Sequence, residues 1–267
     1  MDGDFPGVLW MTQNKADNDE LEWHEMKDMW QLMAPVVFPP GLLDMTKSEV
    51  TGLIELLDIE KSNRILDLCC GYGRHALELS RRGYDVVGVD INEHFIEQAS
   101  EAASEEGLPV EFRMGDMREF CEPESFDAAI NMYGSFGYFA DYSDELLVLR
   151  NIYKSLCTPG KLLIDLWGKE IVLELFPRAS EIESERGLHV IESDIIDNES
   201  KLETTWNLLD KDGTWHEWTS VQNLYSAAEL ADMLEECGFS GMNAYGSFKG
   251  TEYNEHAERL VMTALKE

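Results

Sequence analysis

The stretch Ile65-Leu66-Asp67-Leu68-Cys69-Cys70-Gly71-Tyr72-Gly73-Arg74-His75-Ala76 decides how this chain folds. A short apolar run, suited to a buried strand, enters a turn with two glycines and passes straight into a helix. Glycine lets the backbone approach a ligand closely, and the first amides of the helix are left pointing at that ligand. The spacing alone leaves the ligand open. A tight strand–helix turn with no ligand satisfies it, and Gly71–Ala76 also fits the loose dinucleotide fingerprint.

Outward from the turn the pattern alternates. Arg64–Leu68, Asp85–Val89, Val110–Met114, Phe126–Asn131 and Gly160–Asp165 read as strands. Ala76–Arg82, a helix capped by Asn92 and running to Glu106, and Ser143–Leu156 read as the helices between them. Such alternation implies right-handed crossovers and a parallel sheet covered on both faces. After Gly168 the rhythm changes. Leu188–Ile196, Leu202–Leu209 and Trp215–Leu224 read as an antiparallel meander, separated by Asp197-Asn198-Glu199-Ser200 and Asp210-Lys211-Asp212-Gly213. A helix capped by Ser226 and two last strands, about Met242–Phe248 and Arg259–Ala264, close the chain. Before the first strand, Trp23, Met26, Trp30 and Met33 share one helical face, Pro39-Pro40-Gly41 reads as a hinge or loop, and a second helix covers Thr46–Leu57.

The expected organisation is therefore a helical cap over 1–60, a main domain over 61–180 and 225–267, and an antiparallel β insertion over 181–224 serving as acceptor lid or dimer contact. The 267 residues carry 21 basic and 53 acidic side chains, a formal charge of −32. Such a surface repels phosphate backbones and anionic membranes, so neither nucleic acid nor membrane is an expected partner. Five cysteines without a framework spacing suit a reduced, cytoplasmic compartment, and no metal is expected. No apolar run is long enough for a membrane span. A monomer or homodimer acting on a small molecule fits these features.

Each predicted strand end carries a polar residue. Asp67 precedes the glycines, Asp90 ends the second strand, Gly115-Asp116-Met117 follows the third, and Asn131-Met132-Tyr133-Gly134 ends the fourth. Any one of these is commonly a cap or turn residue. All four in register mark the edge where open α/β sheets bind ligands.

With these residues in place the chain resembles the class I S-adenosylmethionine-dependent methyltransferases, from about Arg64 to the C-terminus. The resemblance implies a Rossmann-like seven-stranded sheet, parallel with an antiparallel last strand and flanked by helices. It also implies S-adenosyl-L-methionine as cofactor. Asp67, Cys70, Gly71, Gly73 and Arg74 then form the glycine-rich first motif, and Asp90 with Ile91 the ribose-binding end. Asp116 and Met117 would meet the adenine, and Asn131 and Tyr133 would line both cofactor and acceptor. Gly115–Phe120 and Gly134–Phe139 look like small-molecule members, including the N,N-dimethyltransferases of amino sugars. Asn131-Met132-Tyr133-Gly134 departs from the Asp/Asn-Pro-Pro-Tyr motif of enzymes that methylate adenine or glutamine nitrogens.

Methyl transfer is an in-line displacement whose main need is positioning, with a base only for a protonated acceptor. No histidine falls in a diagnostic constellation. Tyr133, His75 and His216 are the catalytic candidates; His75 reads equally as a packing or capping residue. Arg74 reads either as a partner for the methionine carboxylate or as a solvated helix residue. Trp30, Phe136, Tyr138 and Phe139 are the candidate acceptor wall, able to hold a cationic centre or simply to pack into the core. Rival readings are a non-catalytic cofactor-binding protein and a nicotinamide-dependent oxidoreductase.

Overall fold

A computed structural model describes residue 22 and residues 25–175 and 177–267. Trp23 and His24 lie outside them. The larger sheet is built from β1 (Arg64–Leu68), β2 (Asp85–Asp90), β3 (Glu111–Met114), β4 (Phe126–Asn131), β5 (Leu156–Leu166), β10 (Ser240–Tyr245) and β11 (Leu260–Lys266). These seven strands lie in the order β10-β11-β5-β4-β1-β2-β3. Strand β11 runs antiparallel between β5 and β10, and β1 to β5 pair in parallel.

The pleat sorts the strand residues into two cores. Leu66, Leu68, Val87, Val89 and Ala129 face one side, packed with Leu149 and Ile152 of α5 (Tyr142–Ser155) and Leu230 and Leu234 of α7 (Ala227–Glu236). Ile65, Val86, Ala128 and Ile130 face the other. There they meet Val50 and Leu53 of α2 (Pro40–Leu57) and Ala76 and Leu79 of α3 (Arg74–Arg81). Helix α4 (Glu93–Glu106) starts at the expected Asn92 cap, whose side chain accepts the His94 amide. Helix α7 starts with a capping box between Ser226 and Glu229.

Three features differ from the sequence expectation. Pro40-Gly41 is not a hinge but the first turn of α2, where proline's fixed φ is already helical. A short helix α6 (Lys169–Leu175) follows β5; at seven residues it is too brief to carry a periodic signal. The insertion has a fourth strand, β6 (Ala179–Glu183), whose mostly exposed residues show no alternation.

Strand β6 joins β7 (Gly187–Ile196), β8 (Lys201–Asp210) and β9 (Trp215–Asn223) in a separate antiparallel sheet of order β6-β7-β8-β9. Its register sets Ser193, Thr204 and Ser220 in one cross-strand row, beside a row of Ile191, Trp206 and Trp218. Helix α1 (Lys27–Val37) touches both sheets' structures. Met29 and Met33 are fully buried against Leu208 of β8, and the Trp30 ring lies 6.2 Å from Phe95 of α4.

Candidate functional site

Register aligns the strand ends. Leu68 pairs with both Val89 and Asn131, Asn131 with Ile164, and Asp90 with Met114. At this edge the turn after β1 is tied down by its neighbours. The Cys70 amide donates to the Val89 carbonyl at 3.0 Å and the Gly73 amide to the Cys70 carbonyl at 2.9 Å. Gly71 has φ +54°, and a Cβ there would make only ordinary contact with the Phe38 ring at 3.7 Å, so it is needed for conformation. Gly73 has φ +74°, and a Cβ there would stand 2.6 Å from the Phe112 ring, so it is also needed for packing.

A cavity of about 730 Å³ opens on this turn. It runs from the β2 and β3 ends past the loop after β4 to the concave wall of the four-stranded sheet. Cys70, Gly71, Arg74, Asp90, Ile91, Asp116, Met117 and Tyr133 line it, as do His75, Trp30, Phe136, Tyr138 and Phe139. Four sequence candidates stand elsewhere. Gly73 packs behind the turn. Asp67 and Asn131 are each only 1 % exposed and are not on the cavity wall. The pleat explains Asp67: it shares Ile65's parity and so points beneath α3. His216 pairs with Asp210 at 2.8 Å and stacks on Trp218, away from the cavity.

The buried acceptors behind the wall are unsatisfied. Neither Asp67 oxygen nor Asn131 Oδ1 has a hydrogen-bond partner among the described residues, while Asn131 Nδ2 donates to the Leu68 carbonyl at 3.1 Å. Burial pushes the Asp67 carboxyl up to about 7, against the pull of the Arg74 charge and the Ala76 amide.

Asp90 is part scaffold. Its Oδ2 accepts the Gly71 amide at 2.8 Å and its Oδ1 the Asn92 amide at 2.9 Å, which leaves the carboxylate with spare acceptor capacity. Burial raises its pKa, with the Asn92, Gly71 and Ile91 amides opposing. Asp116 is gripped by the Arg118 guanidinium, Nη2 to Oδ2 at 2.6 Å, and that guanidinium lies 4.5 Å from the Phe139 ring.

Arg74 is not a solvated helix residue. Its side chain is 8 % exposed; Nη1 donates to Glu49 and, at 3.0 Å, to Thr46, while Nη2 has no partner among the described residues. Glu49 also meets His75 Nε2 at 3.0 Å. Burial works to raise the Glu49 carboxyl, but the His75 hydrogen bond and the Arg74 charge outweigh it and hold it at about 2. Burial depresses His75 to about 4 despite Glu49, so the ring is neutral near pH 7. Sequence reasoning missed Glu49, a polar residue on the apolar face of α2.

It also missed the clamp on the aromatic loop. Glu145, fully buried on α5, accepts the Phe139 amide at 2.9 Å and the Gly137 amide at 3.3 Å. Gln222 Nε2 donates to the Gly134 and Phe136 carbonyls at 2.8 and 3.0 Å, and Asn223 Nδ2 to the Phe139 carbonyl at 2.7 Å. The end of β9 thus holds the loop after β4. Nothing local in Gln222-Asn223 signals this. Among the described residues no group of three or more His, Cys, Asp or Glu could hold a metal ion, and no helix is long and apolar enough to cross a membrane.

Residues 65–160 match the model of the methyltransferase domain family. YqeM of Bacillus subtilis, provisionally named a methyltransferase, is 27% identical over 217 residues, 78% of this chain and 86% of its own length. Residues 65–160 therefore carry a methyltransferase domain. An S-adenosylmethionine-dependent methyltransferase from Clostridium acetobutylicum superposes with a TM-score of 0.74 at 13% identity, covering 89% of this chain and 97% of that one. CalS10, an amino pentose methyltransferase from Micromonospora echinaspora solved with S-adenosylmethionine bound, gives 0.63 at 16% identity over 83% and 92%. This chain shares the fold of both S-adenosylmethionine methyltransferases. Its cavity suits S-adenosylmethionine: Asp90 has acceptor capacity for a ribose, Ile91 and Met117 offer apolar faces, and the volume exceeds one such ligand.

Proposed function

We propose that the chain transfers a methyl group to a nitrogen or oxygen of a small, uncharged acceptor lodged between the aromatic loop and the four-stranded sheet. One observation carries this reading. The cavity continues from the nucleoside end past Tyr133 to a wall bearing the buried hydroxyls of Ser193, Thr204 and Ser220, and among the described residues none that lines it from that sheet is charged. An ionised carboxylate or phosphate would find no cation on that wall.

S-adenosylmethionine supplies an electrophilic methyl on a sulfonium. The chain's own residues bind and orient. In this reading Asp90 accepts from the ribose, Ile91 and Met117 flank the adenine, and Cys70, Gly71 and Arg74 bound the methionine end. Asp67 and Asn131 place buried, unpartnered oxygens behind it. Tyr133 and the wall of Trp30, Phe136, Tyr138 and Phe139 shape the acceptor space and exclude water. His75, neutral and held by Glu49, is a weak base at best, so the acceptor enters as its free base. Of the cap expected over 1–60, the described residues 25–60 act as cap, and 181–224 act as acceptor lid. The charge of −32 and the five free cysteines support a cytoplasmic protein, monomeric or homodimeric, that does not act on nucleic acid.

Calorimetry with S-adenosylhomocysteine and with NADH, followed by transfer from labelled cofactor to a panel of amines, hydroxy compounds and carboxylates, tests the reading. Binding of the homocysteine compound and turnover of uncharged acceptors are expected. Binding of NADH alone, or turnover confined to carboxylates, would overturn it.

A further inference from the structure

Tyr133 sits on the cavity wall in a conformation that its surroundings must impose. Its φ is +61°, a left-handed value disfavoured for a residue with a large side chain. Two carboxylates and two guanidiniums surround it. Asp165 of β5, 1 % exposed, accepts the Tyr133 amide through Oδ2 at 2.9 Å, and its main-chain carbonyl accepts the Gly134 amide at 2.9 Å. The same Oδ2 accepts from Nη2 of Arg259, just ahead of β11, at 2.9 Å. Arg259 then lies 5.2 Å from the Tyr133 ring centre and 4.5 Å from that of Trp167. Arg74, anchored by Glu49, also lies 5.2 Å from the Tyr133 ring centre.

The ring's attraction for cations is therefore already engaged by two arginines, each fixed by a buried carboxylate. What remains for a ligand is the hydroxyl, which has no hydrogen-bond partner among the described residues. Burial keeps that phenol protonated near neutral pH, while the charges of Arg259 and Arg74 work the other way. The group is thus a hydrogen-bond donor strengthened by two nearby cations.

We propose that Asp165 and Arg259 are positioning residues for Tyr133, fixing its strained backbone and its ring so that the hydroxyl is presented to the acceptor. The proposal rests on the methyltransferase reading for the identity of that acceptor space. It assigns work to Asp165 and Arg259, which lie far from Tyr133 in sequence and outside the glycine-rich motif.

The test replaces tyrosine with 3-fluorotyrosine, whose phenol ionises at lower pH, and follows each ring by fluorine NMR through a pH titration. The signal lost in Tyr133→Phe identifies the residue. Arg259→Gln is expected to raise the Tyr133 midpoint by about one pH unit, since a charge near 5 Å is removed. Arg259→Lys, which keeps the charge but not the planar fork, should recover part of that shift; it also serves if the glutamine variant does not fold. Circular dichroism and melting confirm that the variants tested are folded. A Tyr133 midpoint unchanged in the folded variants would overturn the proposal, as the ring would not be held beside Arg259. The titration needs no cofactor. If S-adenosylhomocysteine does not bind the unsubstituted chain, the methyltransferase reading fails while the positioning result still stands or falls by itself.

Discussion

The Asp90 carboxylate accepts the Gly71 amide at 2.8 Å, joining the end of β2 to the glycine-rich turn after β1. The acid proposed to bind the ribose is therefore also a brace for the turn. Asp90→Ala should weaken S-adenosylhomocysteine binding at least about tenfold and lower the melting temperature as well, because the Gly71 and Asn92 amides lose their acceptor. Calorimetry and a melting curve measure both. Full affinity in the alanine variant would place the ribose elsewhere.

Asp67 makes a pH prediction. Its folded pKa, about 7, lies above the ordinary value of 3.8, so the folded chain holds a proton that the unfolded chain releases. Its contribution to stability is fully present below about pH 4 and is lost as the pH rises through 7. Asp67→Asn removes the titration, and the variant should gain on the wild type between pH 4 and 7. Denaturant unfolding at a series of pH values reads the difference; parallel curves would mean the carboxyl is not desolvated.

Gly71 and Gly73 should respond unequally to alanine. Both need a positive φ, but the new methyl would clash with the Phe112 ring at 2.6 Å at Gly73, whereas at Gly71 it would only touch the Phe38 ring at 3.7 Å. Gly73→Ala is expected to cost about 1–3 kcal/mol and Gly71→Ala nearer 1 kcal/mol. Chemical denaturation ranks them, and a reversed order would contradict the close approach of α3 to β3.

Gln222→Ala combined with Asn223→Ala should release the aromatic loop without touching the nucleoside end. S-adenosylhomocysteine affinity is expected to stay within about threefold while acceptor turnover falls tenfold or more. Equal losses in both would show that the clamp serves the cofactor instead. The double variant is a gentler probe than deleting 186–224, which would also strip Leu208 from beneath Met29 and Met33.

Much of the ligand edge is legible in the amino-acid sequence. The strand ends carry their polar residues because such an edge needs them, and local sequence records that for Asp90, Asp116 and Tyr133. Facing is harder to read. Asp67 and Asn131 sit on the right strands, yet both are buried off the cavity wall, Asp67 on the face that α3 covers and Asn131 against the Leu68 carbonyl. Partners remote in sequence leave no local trace. Glu49 anchors Arg74 from a helix before the first strand, and Asp165 and Arg259 reach Tyr133 from β5 and from just ahead of β11, neighbours in the sheet but remote in the chain. Strand β6 carries no periodic signal because an exposed edge strand needs no alternation.

The seat for the aromatic loop is supplied by the last two residues of β9, whereas the hydroxyl row and the tryptophans stand further back along the hairpins. Docking and recognition are therefore separable parts of one insertion. In the proposed reading a hairpin of different lining that still ended in Gln-Asn would plug into the same socket, and acceptor choice would be retooled by exchanging the insertion while the half proposed to hold the nucleoside is left as it is.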